Sequence, residues 1–297
     1  MKLNKLKTNI IAYLFLLPAL ILIGFYLVYP TLATIRMSFF EWNGFSRSGA
    51  QFVGLKNYVG LLGSKKFTNA LKNNLFYTVC TVIGTVVVGM LVAIPIDRRI
   101  CGSKVFKFSF YIPAMMSVTV VGVLFENILD PNRGLLNSFL CSVGLEKLTR
   151  GWLSDPKLAM WMIIFVAVWQ YSSVTMLLFL AAMASISEDI QEAATLDGVN
   201  EINRFFRITL PIIKRPVLVV VMLQMIYGFK AYDLIQVMTK GGPGTTTQVL
   251  SQLIVQTGFE YGEYGMACTV SVVMLVLISI VSVFYIRQSG LGEQMIE

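Results

Sequence analysis

Six long runs of apolar residues limit what this chain can fold into. Each run has at least 18 residues, and five of the six contain no charged residue. A helix needs about 20 mostly apolar residues to cross the hydrocarbon core of a bilayer. In chain order, the runs cover residues 10–29, 73–96, 108–125, 158–184, 216–239 and 264–286. The pattern predicts an all-α membrane protein with six transmembrane helices, forming a single domain over residues 1–297.

The composition excludes several classes of function. Only 13% of the 297 residues are charged, about half the share of a typical soluble domain. The net charge is +8, but the basic residues flank apolar runs, which favours contact with anionic lipid headgroups over nucleic acid. The chain has no histidine, so histidine-ligated metal sites and Ser-His or Cys-His catalysis are excluded.

The basic residues also predict the orientation. Lys2, Lys5 and Lys7 precede the first run, and no small-residue cleavage motif follows it, so this run is predicted to remain as a helix. Basic residues at this end place the N-terminus in the cytoplasm, and six crossings return the C-terminus to the same side. On this topology, cytoplasmic segments hold 12 Lys and Arg in 58 residues, and external loops hold 11 in 99.

A charged segment with helical periodicity separates the fourth run from the fifth. Ser185 and Glu188 have the spacing of a helix-capping box, and Asp197-Gly198 is typical of a turn. A second short helix follows, with apolar residues on one face and a proline at its end: Ile202, Phe205, Phe206, Leu210 and Pro211. The two helices are predicted to form a compact docking element. The alternative is an ordinary amphipathic loop at the membrane interface.

The motif E-A-A-x-x-D-G, followed by F-F-x-I-x-L-P, resembles the signature loop of permease subunits in binding-protein-dependent ABC importers. One departure is Val199, where that family usually has alanine. The segments FVGLKNY (Phe52–Tyr58) and TKGGPGTTT (Thr239–Thr247) resemble the carbohydrate branch, in particular the larger permease of maltose-type and glycerol-phosphate-type systems. The resemblance implies a type I ABC importer permease fold, in which residues 185–215 form a cytoplasmic coupling loop.

The resemblance also implies partners and a site. The helix over Glu192–Gly198 would sit in a cleft of one of two cytoplasmic ATPase subunits, while Phe205 and Phe206 would anchor the loop against the chain's own membrane helices. The residues assigned to ATPase coupling are Glu192, Ala193, Ala194, Asp197, Gly198, Phe205, Phe206, Leu210 and Pro211. A second permease subunit would complete a heterodimer, and an extracytoplasmic binding protein would deliver a sugar. The chain itself would be a non-catalytic subunit of the bacterial cytoplasmic membrane that binds no cofactor, because the partner ATPase uses the ATP.

Polar residues inside the fourth and fifth runs are candidates for the substrate pathway. Lys230 and Asp233 are spaced to face the same way and neutralise each other, either as a structural ion pair or as a polar wall of the pathway. Aromatic and amide side chains suit the apolar faces and hydroxyls of a sugar. With the positions that the resemblance adds, the candidates are Trp169, Gln170, Tyr171, Val174, Gln224, Tyr227, Gly228, Lys230, Ala231 and Asp233.

Other functions remain open at this point. The solute of such an importer is a sugar or a different compound, such as glycerol phosphate or a polyamine. A stand-alone secondary transporter would show inverted internal repeats, which we do not find. A membrane enzyme would need a nucleophile, metal or acid pair at membrane depth. Gly241-Gly242-Pro243-Gly244 lacks the GK[ST] of a phosphate-binding loop and is predicted to be a turn or gate loop.

Overall fold

The computed structural model describes residues 14–44, 49–98 and 102–289. A short antiparallel pair, β1 (Phe40–Glu41) and β2 (Gln51–Phe52), accompanies a chain that is otherwise helical. The helices are α1 (Leu14–Met37), α2 (Lys56–Gly63), α3 (Lys65–Asp97), α4 (Ser103–Met115), α5 (Val118–Ile128), α6 (Leu135–Ser142), α7 (Ala159–Met183), α8 (Glu188–Leu196), α9 (Glu201–Ile212), α10 (Lys214–Phe229), α11 (Asp233–Met238), α12 (Leu250–Val255) and α13 (Tyr264–Ser289). The prediction of an all-α chain is confirmed.

Four helices in the described residues are long and apolar enough to cross a membrane: α1, α3, α7 and α13. Two further spans exist if each of two bent helix pairs counts as one. The pair α4 and α5 bends by 97°, and the pair α9 and α10 bends by 74°. The third predicted run is therefore two helices with a break at Met116-Ser117. Residues 10–13 of the first predicted run lie outside the described residues.

The fifth predicted run, 216–239, does not form one continuous helix. α10 ends at Phe229, Lys230 caps it, and α11 begins only at Asp233. The break puts the cation at a helix C-terminus and the carboxylate in a helix first turn, where the helix dipole favours each charge. Both side chains are exposed there.

The chain divides into two compact units. The first contains the described residues of Met1–Ser64 together with Leu253–Leu275, and the second contains those of Lys65–Gln252 together with Val276–Glu297. The prediction of a single domain stays a prediction. In the first unit, the hydroxyl of Thr269 donates a 3.1 Å hydrogen bond to the carbonyl of Ser38, which joins the beginning of α13 to the end of α1.

Small residues allow the helices of the second unit to pack closely. α3 packs against α7, and an added Cβ at Gly84 would lie 2.5 Å from Val168. α10 packs against α3 in the same way, because a Cβ at Gly228 would lie 2.8 Å from Thr78. Such close approach is typical of helix pairs in membranes, where van der Waals contact replaces the hydrophobic effect as the driving force.

Two buried clusters lie within the second unit. The first joins α5, α7 and α11 through Val121, Ile163 and Ile235. The second, which we call the elbow cluster, joins the ends of α3 and α7 to the beginning of α10. It consists of Met90, Ala93, Ile96, Met176, Phe179, Ala182, Met183, Ile186, Ile213 and Val220. The coupling loop packs against the elbow cluster.

Candidate functional site

The coupling loop begins with α8, as the sequence predicts, but the predicted capping box does not form. Ser187, not Ser185, is the N-cap residue, and its side chain makes no capping hydrogen bond. The hydroxyl of Ser185 instead donates to the carbonyl of Ala182, 2.7 Å away, at the end of α7. Glu188 and Asp189 still lie in the first turn of α8, where their negative charge is favourable.

Asp197-Gly198 forms the turn between α8 and α9. Asp197 caps α8, and Gly198 has φ +66°, a left-handed conformation that a residue with a side chain adopts at a cost. No heavy atom lies within 4 Å of a Cβ added at Gly198, so the constraint is conformational and not steric. Asn200 then caps α9, because its side-chain oxygen accepts a 2.8 Å hydrogen bond from the backbone N–H of Asn203.

Pro211 does not end the second helix, contrary to the prediction. α9 continues to Ile212, and the chain bends only at Ile213. A π-helical turn over Phe205–Thr209 precedes the proline, and the N–H of Leu210 bonds to the carbonyl of Phe205. This wide turn changes the hydrogen-bond register just before a residue that lacks an N–H, so the helix passes through Pro211.

The aromatic pair of the loop anchors it with one ring only. Phe205 and Leu210 are partly buried against the elbow cluster, as predicted for an anchor. Phe206 is exposed. With Ile202, it borders an apolar groove of about 410 Å³ that also contacts Leu91 of α3. The prediction that both rings pack against the membrane helices holds for Phe205 alone.

Two polar contacts also hold the loop in place. Arg98, directly after α3, forms an ion pair with Glu201 and donates a 3.3 Å hydrogen bond to the Glu201 carbonyl. Arg204 donates a 3.3 Å hydrogen bond to the side-chain oxygen of Gln191, which joins α9 to α8. These residues and Glu188 line a cavity of about 560 Å³ between the ends of α3 and α7 and the two loop helices.

The outer side of the loop has a mixed surface. Glu192, Ala193, Asp197 and Gly198 are exposed, whereas Ala194 is buried within this chain. The two alanines of the E-A-A motif therefore differ in role, because only Ala193 is available to a partner surface. Sequence reasoning missed Leu196, which is 88% exposed at the last position of α8. Its apolar character next to an Asp-Gly turn was the available signal.

Three predicted pathway residues are buried inside this chain and contact its other helices. Gln170 donates a 3.1 Å hydrogen bond to the carbonyl of Met116, where α4 and α5 meet. Gln224 donates a 2.7 Å hydrogen bond to the hydroxyl of Thr175 and joins α10 to α7. The carbonyl of Gly228 accepts a 3.3 Å hydrogen bond from Asn74. These residues hold helices together and do not face open space in this chain.

The remaining pathway candidates divide into two groups. Three pack, partly buried, against the first cluster: Trp169, Tyr171 and Ala231. Four are exposed: Val174, Tyr227, Lys230 and Asp233. The predicted ion pair between Lys230 and Asp233 is not among the salt bridges of the described residues, because the helix break separates the two side chains.

Sequence reasoning also missed a polar contact that fixes the TKGGPGTTT segment. Asn73 donates 2.9 Å hydrogen bonds to the carbonyls of Thr245 and Gln248, and Asn74 accepts one of 3.1 Å from the N–H of Leu250. These hydrogen bonds attach the segment to α3 as an ordered turn. Two adjacent asparagines at the start of an apolar run were the only signal in the sequence.

Comparison with known proteins places these features among transport proteins. Residues 85–289 match the family described as "Binding-protein-dependent transport system inner membrane component". The chain is 34% identical to the probable ABC transporter permease protein YurN of Bacillus subtilis, over 97% of this chain and 99% of that protein. It is 30% identical to the arabinooligosaccharides transport system permease protein AraP of the same organism, over 94% and 88% of the two chains.

The fold is similar to that of a solved transporter. A chain in the crystal structure of a bacterial alginate ABC transporter, in complex with an alginate pentasaccharide-bound periplasmic protein, matches with a TM-score of 0.85. The match covers 96% of both chains at 23% sequence identity. This confirms the predicted type I importer permease fold.

Proposed function

Because the chain belongs to the family of binding-protein-dependent transport system inner membrane components, we propose that it forms half of the translocation pathway of an ATP-driven sugar importer. A second permease subunit supplies the other half. An extracytoplasmic binding protein delivers the sugar, and two ATPase subunits bind on the cytoplasmic side. The N- and C-termini lie in the cytoplasm.

The proposal is carried by one observation, the coupling loop. Its outer side is exposed, while Phe205 and Leu210 hold its inner side against the elbow cluster, to which Ile213 belongs. A force on the exposed turn at Gly198 therefore reaches the ends of α3, α7 and α10 through packed side chains. Such an element can transmit the closure of an ATPase to membrane helices without binding nucleotide itself.

A sugar is the solute that the relatives support. AraP belongs, by its name, to a transport system for arabinooligosaccharides, and the solved transporter binds its periplasmic protein loaded with an alginate pentasaccharide. In this chain, Tyr227 offers an exposed aromatic face on α10, and Lys230 and Asp233 add polar groups after it. We assign these exposed side chains, with Val174, to the pathway, and the buried Gln170 and Gln224 to its supporting framework.

The test is to purify the transporter through a tag on this chain. We expect an ATPase and a second permease to co-purify, and ATP hydrolysis to rise when a sugar-loaded binding protein is added. The Gly198→Glu variant should insert normally and retain ATP hydrolysis but lose sugar uptake, because bulk and charge disturb the contact surface. Wild-type uptake in this variant would contradict the coupling role.

Gly144 provides a matched control for this substitution. It follows α6, is exposed, has φ +76°, and has no heavy atom within 4 Å of an added Cβ. Gly144→Glu therefore introduces the same local strain, bulk and charge outside the coupling loop. It should retain coupled uptake if the effect at Gly198 comes from a partner contact. Equal loss in both variants would point to general damage.

A further inference from the structure

One face of the segment after β2 is apolar and uncovered. Four large side chains on it are each between 64% and 72% exposed: Phe52, Leu55, Val59 and Leu62. Their spacings of three, four and three residues place Leu55, Val59 and Leu62 on one face of α2, with Phe52 directly before it. Soluble surfaces rarely display four such residues together.

The opposite face of α2 is firmly held, so the apolar face has a fixed direction. The side-chain amide of Asn57 is buried and donates 3.0 Å hydrogen bonds to the carbonyls of Ser38 and Phe40. Tyr58 shares a 2.7 Å hydrogen bond with the hydroxyl of Ser38, and Leu61 is buried. α2 therefore cannot turn its apolar side inward without losing these contacts.

The contacts of α2 keep it close to the bilayer surface. The carbonyl of Ser38, directly after α1, accepts hydrogen bonds from Asn57 of α2 and from Thr269 in the second turn of α13, and both α1 and α13 are long and apolar enough to cross a membrane. An eight-residue helix rises only about 12 Å along its axis. α2 is therefore held beside the ends of two helices that can cross a membrane, which places it close to the headgroup level.

We propose that α2 is an interfacial anchor whose apolar face enters the boundary between headgroups and acyl chains of the phospholipid bilayer. Large apolar residues on one side and lysines nearby are typical of helices that lie in this plane. Lys56 is exposed on α2, and the exposed Lys65 and Lys66 follow it in the sequence. The long side chain of Lys65 can extend toward lipid phosphates, whereas Lys56 pairs with the exposed Glu41. Under the proposed function the leaflet is the extracytoplasmic one, but the lipid contact itself does not depend on that function.

The occupant proposed here is lipid and not a protein partner. A binding protein that docks and leaves in each cycle would expose this surface to water for part of the time. Lipid covers it continuously, and α2 is held beside the ends of α1 and α13, two helices that can cross a membrane. Coverage by the second permease or by the binding protein is therefore an alternative outcome of the test.

The experiment measures depth by spin labelling. The four cysteines, Cys80, Cys101, Cys141 and Cys268, are replaced by serine. Single cysteines are then introduced at Leu55, Val59 and Leu62, and at Lys56 and Gly63 as controls on the same helix. The full chain is purified with every subunit that accompanies it and reconstituted in nanodiscs of phosphatidylethanolamine and phosphatidylglycerol.

We expect labels at 55, 59 and 62 to collide more with oxygen, which dissolves in lipid, than with a water-soluble nickel complex. Labels at 56 and 63 should show the reverse. Greater nickel accessibility at all five positions would overturn the proposal, since the face would then be in water. Low accessibility to both reagents at 55, 59 and 62 would also overturn it, because a protein would cover the face.

A second measurement protects the test against disturbance by the label. The Val59→Trp variant keeps an apolar side chain, and its fluorescence should be quenched by lipids brominated near the headgroup end of the acyl chain. Absence of quenching would count against the anchor. If no ATPase accompanies the chain, the proposed function fails while both measurements on α2 still stand.

Discussion

Arg98 and Glu201 are joined by an ion pair that links the end of α3 to the first residue of α9. The guanidinium also bonds to the Glu201 carbonyl, so the contact fixes backbone as well as side chain. Arg98 is 103 residues from Glu201 in the chain. The pair therefore connects the second half of the coupling loop to a different membrane helix from those that flank it.

Breaking this ion pair should weaken, but not abolish, the coupling of ATP hydrolysis to sugar uptake. Exposed ion pairs contribute about 0.2–1 kcal/mol, so Arg98→Gln and Glu201→Gln should each lower the sugar imported per ATP hydrolysed by about 1.4- to 5-fold. The double variant should be no worse than either single one, and the exchange Arg98→Glu with Glu201→Arg should restore part of the loss. Lys56→Gln, which breaks the exposed pair with Glu41 in the other unit, is the control. Additive losses would show that the pair does not act as a unit.

Two substitutions at Gly198, to alanine and to asparagine, separate the effect of backbone strain from the effect of side-chain size. The φ of +66° at Gly198 costs about 1–2 kcal/mol for most residues, whereas asparagine tolerates this conformation. Gly198→Ala should therefore reduce coupled uptake more than Gly198→Asn, with membrane insertion unchanged in both. The measurement is sugar uptake and ATP hydrolysis in the same vesicles. Greater loss with asparagine would mean that bulk at the contact surface matters more than backbone strain.

The sequence predicts the helical membrane fold and the coupling loop well, because both depend on local patterns. Apolar runs fix the membrane helices, and Asp197-Gly198 fixes the turn. The passage of α9 through Pro211 was beyond these rules, since it requires a π-helical turn that no residue type signals. The break after Phe229 also escaped notice, although Lys230 and Asp233 mark its two ends.

The candidate pathway was harder to predict, because a polar residue in a membrane helix can either bind the solute or form hydrogen bonds to another helix. Gln170 and Gln224 have the residue type expected of a sugar site, but their partners lie 54 and 49 residues away and hold helices together. Asn74 bonds to the N–H of Leu250, 176 residues along the chain. Only the tertiary structure separates such framework residues from exposed ones such as Tyr227.

Asn74 should be important for stability. It is fully buried and contacts Leu250, Gly228 and Thr78. Asn74→Ala would leave the N–H of Leu250 without its partner at a cost of about 1–3 kcal/mol, and should lower the thermal unfolding midpoint. The segment at 239–247 should also become more sensitive to limited proteolysis.

An exposed asparagine gives the control for Asn74. Within the described part of the chain, the side chain of Asn127 bonds only to the carbonyl of Val123, one turn away, so Asn127→Ala should leave both readouts nearly unchanged. Equal effects of the two substitutions would contradict the assigned role of Asn74.

Removing the acceptor of the hydrogen bond from Gln224 to Thr175 should destabilise the protein more than removing the donor. Thr175→Val removes the acceptor and leaves a buried amide unsatisfied, which costs about 1–3 kcal/mol. Gln224→Leu should cost less, because the Thr175 hydroxyl keeps its 3.2 Å hydrogen bond to the carbonyl of Tyr171. The double variant should regain much of the stability lost in Thr175→Val. Interhelical hydrogen bonds in membranes average about 0.6 kcal/mol, with a maximum near 1.7, and a thermal-unfolding cycle in detergent should give a coupling energy in that range.

Substitutions at Tyr227 and Thr175 test whether exposed residues line the sugar pathway while buried ones hold the helices together. Tyr227 lies three residues from Gln224 and is exposed, so Tyr227→Ala should leave the unfolding midpoint almost unchanged while lowering the affinity for the transported sugar. Thr175→Val should do the opposite and lower stability more than affinity. The two variants are compared by thermal unfolding and by the concentration dependence of uptake. If Tyr227→Ala lowers stability as much as Thr175→Val, the ring packs against protein and is not part of the pathway wall.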